Sequence, residues 1–282
     1  MQTETERIQE IIRAAIREDI GDGDHSSLLS IGAEQQGSSR LLVKEDGVIA
    51  GVEVALAVFR EVDSALRTEV LIPDGTPVHK GDVVLTVTGK VQSILAAERL
   101  VLNIMQRMSG IATTTRIYLQ RIAGTSARLL DTRKTTPNMR VLEKMAVRIG
   151  GGCNHRMGLY DMIMLKDNHI DFAGGLKNAL AKTNKYLKEK HLDLKVEIEC
   201  RSLDDVCQAL ALGGFHRMMF DNFTPENVRK GVALVQGRYE TEASGGITLE
   251  NIRAYAETGV DFISVGALTH SVKSLDLSLK AM

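Results

Sequence analysis

The second half of the chain, from Arg128 onward, alternates short apolar segments with amphipathic ones, and this alternation limits the fold more than any other feature. The apolar segments have the length of strands and read ARLLDT, YDMIMLK, LKVEIEC, RMMFDN, YETEASGG and VDFISVG. The segments between them have helical apolar spacing, and most begin near a Ser, Thr or Asn that can cap a helix. Strands that alternate with helices pair in parallel through right-handed crossovers.

The repeat length indicates how these units are arranged. Glu199, Asp221, Ser244 and Gly266 each end a predicted strand, at intervals of 22, 23 and 22 residues. A short βα unit repeated at constant length predicts a (β/α) barrel, with fewer than eight strands because only six are countable. An open, doubly wound parallel sheet is the alternative.

The first part of the chain has a different pattern of apolar segments and turns. An amphipathic helix, ETERIQEIIRAAIRED, precedes short alternating segments separated by turn residues at Asp74-Gly75 and Lys80-Gly81-Asp82, which is typical of antiparallel strands. One or two helices follow, from Ser93 to Gly124. We therefore predict an N-terminal α+β sandwich domain over residues 1–112 and a catalytic barrel over 113–270, with 271–282 packing on the first domain.

Composition excludes several classes of partner. Lys plus Arg number 35 and Asp plus Glu 36, and aromatic residues are 4% of the chain, so neither a basic surface nor base-stacking platforms for nucleic acid are expected. There is no apolar run of membrane-spanning length, and the acidic, polar N-terminal segment is unlike a secretion signal. We expect a cytoplasmic protein whose three cysteines are reduced thiols.

Cations are concentrated between Asp131 and Arg156. Three of them, Arg140, Lys144 and Arg148, have i, i+4, i+8 spacing on a predicted helix, which predicts one solvated stripe. The others lie in turns or at strand ends and are Arg133, Lys134, His155, Arg156 and, further on, Lys166. Arginine holds carboxylate or phosphate by paired hydrogen bonds and lysine acts as a point charge, so these residues predict a ligand with several negative charges.

Polar residues at the ends of the later strands suggest further parts of a binding or catalytic site, because the active sites of barrel enzymes lie at the carboxyl ends of the strands. The carboxylates of Glu199 and Asp221 suit Mg²⁺ coordination through water or stabilisation of a developing cation, with ion pairing to the site's own lysines as the alternative. The glycine-containing stretches SGGI and SVGALTHS each precede a helix and suit phosphate binding. They contain Ser244, Gly245, Gly246, Gly266 and His270, of which His270 is either a phosphate donor or a residue of the barrel rim.

Taken together, these motifs resemble the quinolinate phosphoribosyltransferase family, also called nicotinate-nucleotide pyrophosphorylase (carboxylating). The resemblance covers nearly the whole chain and rests on EDIGDGDHSS, LAAERLVLNIMQRMSGIAT, DTRKTTP, GGGCNHRMGLYDMIMLKDNHI, VEIEC, FDN, EASGGI and VGALTHS. It implies a type II phosphoribosyltransferase that makes nicotinate mononucleotide, pyrophosphate and CO₂ from quinolinate and phosphoribosyl pyrophosphate, with Mg²⁺, in NAD synthesis. Asn138 stands where the family commonly has Gly, and Asn tolerates the left-handed backbone that such a turn needs.

The resemblance also implies residue roles. Quinolinate would be held by Arg133, His155, Arg156 and Lys166, together with Arg99 from the other subunit of a homodimer or a higher oligomer. Lys134, Glu199 and Asp221 would be catalytic and phosphoribosyl-binding residues, with Glu199 and Asp221 holding Mg²⁺ through water. The phosphoribosyl phosphate would lie against Ser244, Gly245, Gly246, Gly266 and His270.

Three other functions are compatible with some of these features. A related protein of the same fold, such as those associated with molybdenum transport, could act on another aromatic acceptor. GTPVHKGDVVLTVTG has the turn pattern of lipoyl or biotinyl carrier domains but lacks a modifiable lysine at a hairpin tip. A protein that binds the anion without catalysis is the third.

Overall fold

The computed structural model describes residues 2–282 of the chain. The helices are α1 (Glu4–Ile20), α2 (His25–Ser30), α3 (Val52–Val62), α4 (Val91–Arg121), α5 (Arg140–Ile149), α6 (Asp167–Ala173), α7 (Leu176–Lys190), α8 (Leu203–Leu212), α9 (Pro225–Val235), α10 (Ile252–Ala256) and α11 (Ala267–His270). The strands are β1 (Gln36–Val43), β2 (Gly47–Val48), β3 (Arg67–Val70), β4 (Pro77–Val78), β5 (Val83–Lys90), β6 (Arg128–Leu130), β7 (Ile163–Leu165), β8 (Val196–Cys200), β9 (Arg217–Asp221), β10 (Glu240–Ser244), β11 (Phe262–Ser264) and β12 (Leu277–Ala281).

The chain forms two compact units. The first comprises the residues up to Arg116 with Thr135–Gly151 and Leu268–Met282, and the second comprises Ile117–Lys134 and Gly152–Ala267. In the first unit, four strands form a sheet in the order β12-β1-β5-β3, and β2 pairs with β4. All of these pairings are antiparallel, which confirms the pairing predicted from the turn chemistry.

The second unit contains a six-stranded parallel sheet in the order β6-β11-β10-β9-β8-β7. From β7 to β11 each strand neighbours the next one in sequence, and the first strand of the unit, β6, lies beside the last. A doubly wound sheet reverses its strand order near the middle, whereas this ring-like order belongs to a (β/α) barrel. The predicted barrel with fewer than eight strands is confirmed, and a parallel bridge between Leu130 and Cys153 occupies the other edge of β6.

Local sequence accounts for several of the helices that cover these strands. Ser202 caps α8 by accepting a hydrogen bond from the Asp205 N–H, and Asp205 accepts one from the Ser202 N–H in return. Thr224 caps α9, and Pro225 occupies its first turn, where the missing N–H costs nothing. At the turn before α5, Asn138 has φ 63°, so the left-handed backbone expected at this position is present.

Two features of the helices differ from the predictions. An additional helix, α6, follows β7 directly, where the sequence analysis placed no element. The prediction of a solvated Arg140–Lys144–Arg148 stripe on α5 is wrong for Lys144, which is 0% exposed. Arg148 is exposed and pairs with Glu4 at 2.7 Å. Since α5 buries residues around most of its circumference, including Glu143, the spacing of its charges could not identify the solvated side.

Candidate active site

A cavity of about 340 Å³ opens at the carboxyl ends of the barrel strands. It is lined by Thr132, Arg133, Lys134, His155, Arg156, Met164, Lys166, Glu199, Met219, Asp221, Asn222, Glu242, Ser244, Gly245, Gly246 and Ser264. Parallel strands direct their carboxyl ends and the following turns to one mouth, so residues far apart in sequence meet there.

A cationic wall, formed by Arg133, Arg156 and Lys166, lines part of this cavity. Arg156 is 8% exposed, and its Nη1 donates to the Met162 carbonyl at 3.2 Å. Burial and the neighbouring Arg133 cation lower the pKa of Arg156. An arginine remains protonated despite such a shift, so the local charge favours the entry of an anion.

The backbone that carries this wall is held by a buried carboxylate. Asp131, at the end of β6, is 0% exposed and accepts hydrogen bonds from the His155 N–H at 2.9 Å and from Asn154 Nδ2. A carboxylate that receives several N–H donors fixes the loop that supplies them. Asp131 therefore fixes where the segment containing His155 and Arg156 crosses the end of the barrel.

Two carboxylates at strand ends face the cavity. Glu199 lies on β8, with Oε1 at 3.2 Å from Lys166 Nζ and Oε2 accepting from the Asp167 N–H at 3.3 Å. Asp221 ends β9, and its Oδ2 accepts from Asn222 Nδ2 at 2.9 Å. The alternative considered for Glu199, an ion pair with a lysine of the site, is thus present.

Next to Asp221 lies a turn after β10 that requires glycine. Gly245 has φ 91°, and a Cβ on it would lie 2.2 Å from the Asn222 side-chain oxygen and 2.9 Å from its backbone nitrogen. Gly246 also has positive φ, 62°. The absence of side chains there leaves backbone N–H groups accessible to an anion such as phosphate.

Beside the wall lies a cluster of buried charges, of which the sequence analysis predicted only His155 as a site residue. His155 Nε2 is 2.9 Å from Glu197 Oε2 and 3.5 Å from Glu242 Oε2, and Arg217 Nη1 is 3.0 Å from Glu242 Oε2. Burial opposes protonation of His155, but its hydrogen bonds to Glu197 and Glu242 outweigh this and raise its pKa to about 9. Burial, with repulsion from Glu242, raises the pKa of Glu197 to about 7.

The cavity brings together most of the residues that the sequence analysis selected, but three of them are not among the lining residues. Arg99 is exposed on α4, His270 is exposed beside Ser271, and Gly266 follows β11. Six lining residues were not predicted: Thr132, Met164, Met219, Asn222, Glu242 and Ser264. Glu242 lies at the same level of the sheet as Glu199, because both residues pair with Met219 of β9, and it alternates along β10 with the predicted Ser244, which was the available signal.

The fold and the cavity define a class of protein. A (β/α) barrel with a glycine turn, a cationic wall and two carboxylates at one mouth is typical of an enzyme site for polyanionic small molecules.

Comparison with known proteins identifies the family. The chain matches the C-terminal domain of quinolinate phosphoribosyl transferase over residues 111–280 and the N-terminal domain over 24–109. It is 45% identical to the chloroplastic nicotinate-nucleotide pyrophosphorylase [carboxylating] of Arabidopsis thaliana, over 97% of this chain and 82% of that protein. It is 42% identical to the probable nicotinate-nucleotide pyrophosphorylase [carboxylating] of Bacillus subtilis, over 97% and 93%. The crystal structure of NadC from Streptococcus pyogenes superposes with a TM-score of 0.92 at 38% identity, covering 100% of this chain and 99% of that one.

The chain belongs to the quinolinate phosphoribosyltransferase family, as the motifs predicted. Within residues 2–282, no helix combines the length and apolar character needed to cross a bilayer.

Proposed function

We propose that this protein transfers a phosphoribosyl group from phosphoribosyl pyrophosphate to quinolinate, with loss of CO₂, in NAD biosynthesis. One observation carries the proposal: in a member of this family, the cationic wall, the glycine turn and the Glu199–Asp221 carboxylates line a single cavity. The cationic wall suits a dicarboxylate, the glycine turn suits a phosphate, and the two carboxylates suit a developing ribosyl cation.

The cationic wall binds quinolinate. Arg133, Arg156 and Lys166 neutralise its two carboxylates, His155 supports them from the cavity floor, and the pyridine nitrogen is directed at the anomeric carbon of the ribose. Holding both reactants in this way replaces a bimolecular encounter by an intramolecular one. Nitrogen then forms a bond to the anomeric carbon as the bond to pyrophosphate breaks.

The glycine turn and the carboxylates of the cavity bind phosphoribosyl pyrophosphate. Ser244, Gly245 and Gly246 hold the ribose phosphate, with Gly266 and His270 as further contacts. Lys134 offsets the charge on the departing pyrophosphate, and Glu199 and Asp221 stabilise the electron-poor ribosyl centre. When CO₂ departs, the electron pair of the broken bond stays on the ring carbon, where the adjacent pyridinium nitrogen stabilises it, and that carbon then takes a proton.

The carboxylates of Glu199 and Asp221 fit Mg²⁺ when water molecules lie between them and the ion. Carboxylate oxygens are its preferred protein ligands, and it retains several waters when bound with substrate phosphates. Since both Glu199 oxygens already accept hydrogen bonds, Glu199 and Asp221 are suited to hold the ion through water. When bound with the diphosphate, it would neutralise charge on the leaving group.

We further propose a homodimer in which Arg99 enters the cavity of the partner. Arg99 is exposed one helical turn after Leu95, which is 39% exposed, and Leu28 and Leu29 are exposed in the same unit. In the barrel unit Leu159 is 73% exposed and Phe172 92%. Large apolar side chains left exposed on both units suit a subunit interface. The cytoplasmic location remains a prediction.

A single assay tests the reaction. We expect CO₂ release from carboxyl-labelled quinolinate only when phosphoribosyl pyrophosphate and Mg²⁺ are both present. Quinolinate, nicotinate and other aromatic acids should be compared as acceptors, since faster turnover of another acid would favour the related transporter-associated proteins. Tight quinolinate binding without CO₂ release would instead favour an anion-binding protein.

A further inference from the structure

Two carboxylates lie directly beneath the surface proposed to bind a dicarboxylate, and this arrangement needs an explanation. Glu197 on β8 and Glu242 on β10, the buried carboxylate pair, are each 0% exposed. Uncompensated negative charge at this position would oppose binding of quinolinate. The pair must therefore be neutralised locally or contribute to the site in another way.

One carboxylate is compensated from the side away from the mouth. Arg217 on β9 contacts Glu242 through Nη1 at 3.0 Å and Glu240 through Nη2 at 3.0 Å. Its guanidinium carbon also lies 4.1 Å from the centre of the Phe262 ring, so its position is fixed by packing as well as charge. Arg217 therefore holds Glu242 in place without being a lining residue of the cavity.

The other contact of the pair is the His155 ring, which connects it to the cationic wall. His155 Nε2 lies 2.9 Å from Glu197 Oε2, and Nδ1 accepts a hydrogen bond from the Arg156 N–H at 2.6 Å. In the neutral ring that accepts at Nδ1, the hydrogen lies on Nε2, beside the pair. In the cation Nε2 keeps this hydrogen, but Nδ1 also carries one and no longer accepts from the Arg156 N–H. The carboxylates thus orient the ring in both states.

We propose that Glu197 and Glu242 are positioning residues for quinolinate binding: they fix the His155 ring and, through it, the Arg156 backbone. The inference rests on the proposed function. Arg156 directly follows His155 in the chain and its Nη1 donates to the Met162 carbonyl, so that its remaining N–H groups point in a fixed direction. A carboxylate that orients a histidine, which in turn acts on a functional group, is a common arrangement in enzyme sites.

A metal ion is the other possible occupant of this cluster. One ligand atom from each of His155, Glu197 and Glu242 lies within 4.8 Å of the others, which is close enough for shared coordination. The Arg217 guanidinium at 3.0 Å from Glu242 would repel a divalent cation there. A hydrogen on His155 Nε2, 2.9 Å from Glu197 Oε2, faces the same carboxylates without that repulsion.

The test uses Glu197→Leu, which removes the acceptor, and Glu197→Gln, which retains an acceptor oxygen without the charge. We expect Glu197→Leu to raise the KM for quinolinate by tenfold or more, because displacement of a binding group by about 1 Å can cost a factor of ~100. The KM for phosphoribosyl pyrophosphate and kcat should change much less. Glu197→Gln should restore most of the affinity for quinolinate.

A readout without substrates separates this inference from the proposed reaction. In ¹⁵N-histidine-labelled protein we expect a slowly exchanging Nε2–H signal, assigned to His155 by its absence from His155→Gln. Glu197→Leu should lose this signal, and Glu240→Gln, which alters the exposed partner of Arg217, should retain it. If Glu197→Leu does not fold, Glu242→Leu is measured in its place, with the same expected rise in the KM for quinolinate.

Three results would overturn the proposal. They are an unchanged KM for quinolinate in both variants, equal rises in the KM values of both substrates, and stoichiometric Zn²⁺ retained by the wild type but lost from Glu197→Leu. Absence of CO₂ release by the wild type would instead refute the proposed reaction, and the Nε2–H signal would still report on the geometry.

Discussion

Lys166 Nζ lies 3.2 Å from Glu199 Oε1, so the lysine assigned to the acid substrate and the carboxylate assigned to the ribosyl centre form an ion pair within the cavity. This pair joins the two halves of the proposed chemistry. Any change to one member alters the charge available to the other, and the two roles can be separated by measuring kcat and KM independently.

Glu199→Gln should lower kcat by about 100-fold, because it removes a charge directed at the developing ribosyl cation. The KM for quinolinate should not rise, since Lys166 retains its cation and loses a competing anion. Steady-state kinetics with both substrates varied will show this. Asp171→Asn is the matched control: Asp171 pairs with Arg201 at 2.9 Å on the exposed α6, and its loss should leave both parameters unchanged.

Arg156→Ala should raise the KM for quinolinate by about 100-fold, the equivalent of roughly 3 kcal/mol for a charged, paired hydrogen bond. Arg156→Lys should recover only part of this, because lysine lacks the planar fork. The KM for phosphoribosyl pyrophosphate should change little. An unchanged KM for quinolinate in Arg156→Ala would show that the acid is bound elsewhere.

Gly245→Ala should weaken phosphoribosyl pyrophosphate binding by tenfold or more and lower the melting temperature. A Cβ there would lie 2.2 Å from an Asn222 side-chain atom, in addition to the strain of φ 91°. Gly237→Ala isolates the strain, since Gly237 has φ 69° with nothing within 4 Å of the added Cβ and does not line the cavity. It should lower stability by about 1 kcal/mol and leave KM unchanged. Equal effects of the two variants would argue against a phosphate site at this turn.

Arg99→Ala and Arg156→Ala should each have little activity alone and recover it when mixed. If Arg99 serves the partner's cavity, a mixed dimer contains one site with both arginines and one with neither. Random exchange should therefore restore roughly a quarter of wild-type activity. Arg133→Ala mixed with Arg156→Ala is the control, since both alter the same cavity and no intact site can form.

Stability should decrease as pH rises from about 6.5 to about 9. The pKa of His155 is raised from 6.5 to about 9, so the folded state binds this proton more tightly than the unfolded chain does. The contribution is complete below pH 6.5 and is lost as pH rises through 9. The free energy of unfolding, measured with urea, should differ by about 3 kcal/mol between pH 6 and pH 9 from this cause, and the difference should be smaller in His155→Gln. A dependence that is identical in His155→Gln would contradict the assignment.

Local patterns in the sequence determined the elements and much of the site. The six barrel strands follow from apolar segments of strand length, the ends of α8 and α9 from Ser202 and Thr224, and the barrel from a constant repeat. Since parallel strands must deliver their carboxyl ends to one mouth, the sequence alone was enough to group strand-end residues such as Arg133, Lys166, Glu199 and Asp221 in one site.

Only the tertiary structure decided which charges are buried and which are in contact. Lys144 has the spacing of a solvated stripe, yet it is 0% exposed, because burial depends on what packs against a helix and not on its own period. The Lys166–Glu199 pair and the contacts of His155 with Glu197 and Glu242 join residues 33, 42 and 87 positions apart, and no local pattern specifies such distances. Short-range sequence places a residue at a strand end. The burial and the charged neighbours of its side chain come from strands that the fold brings together.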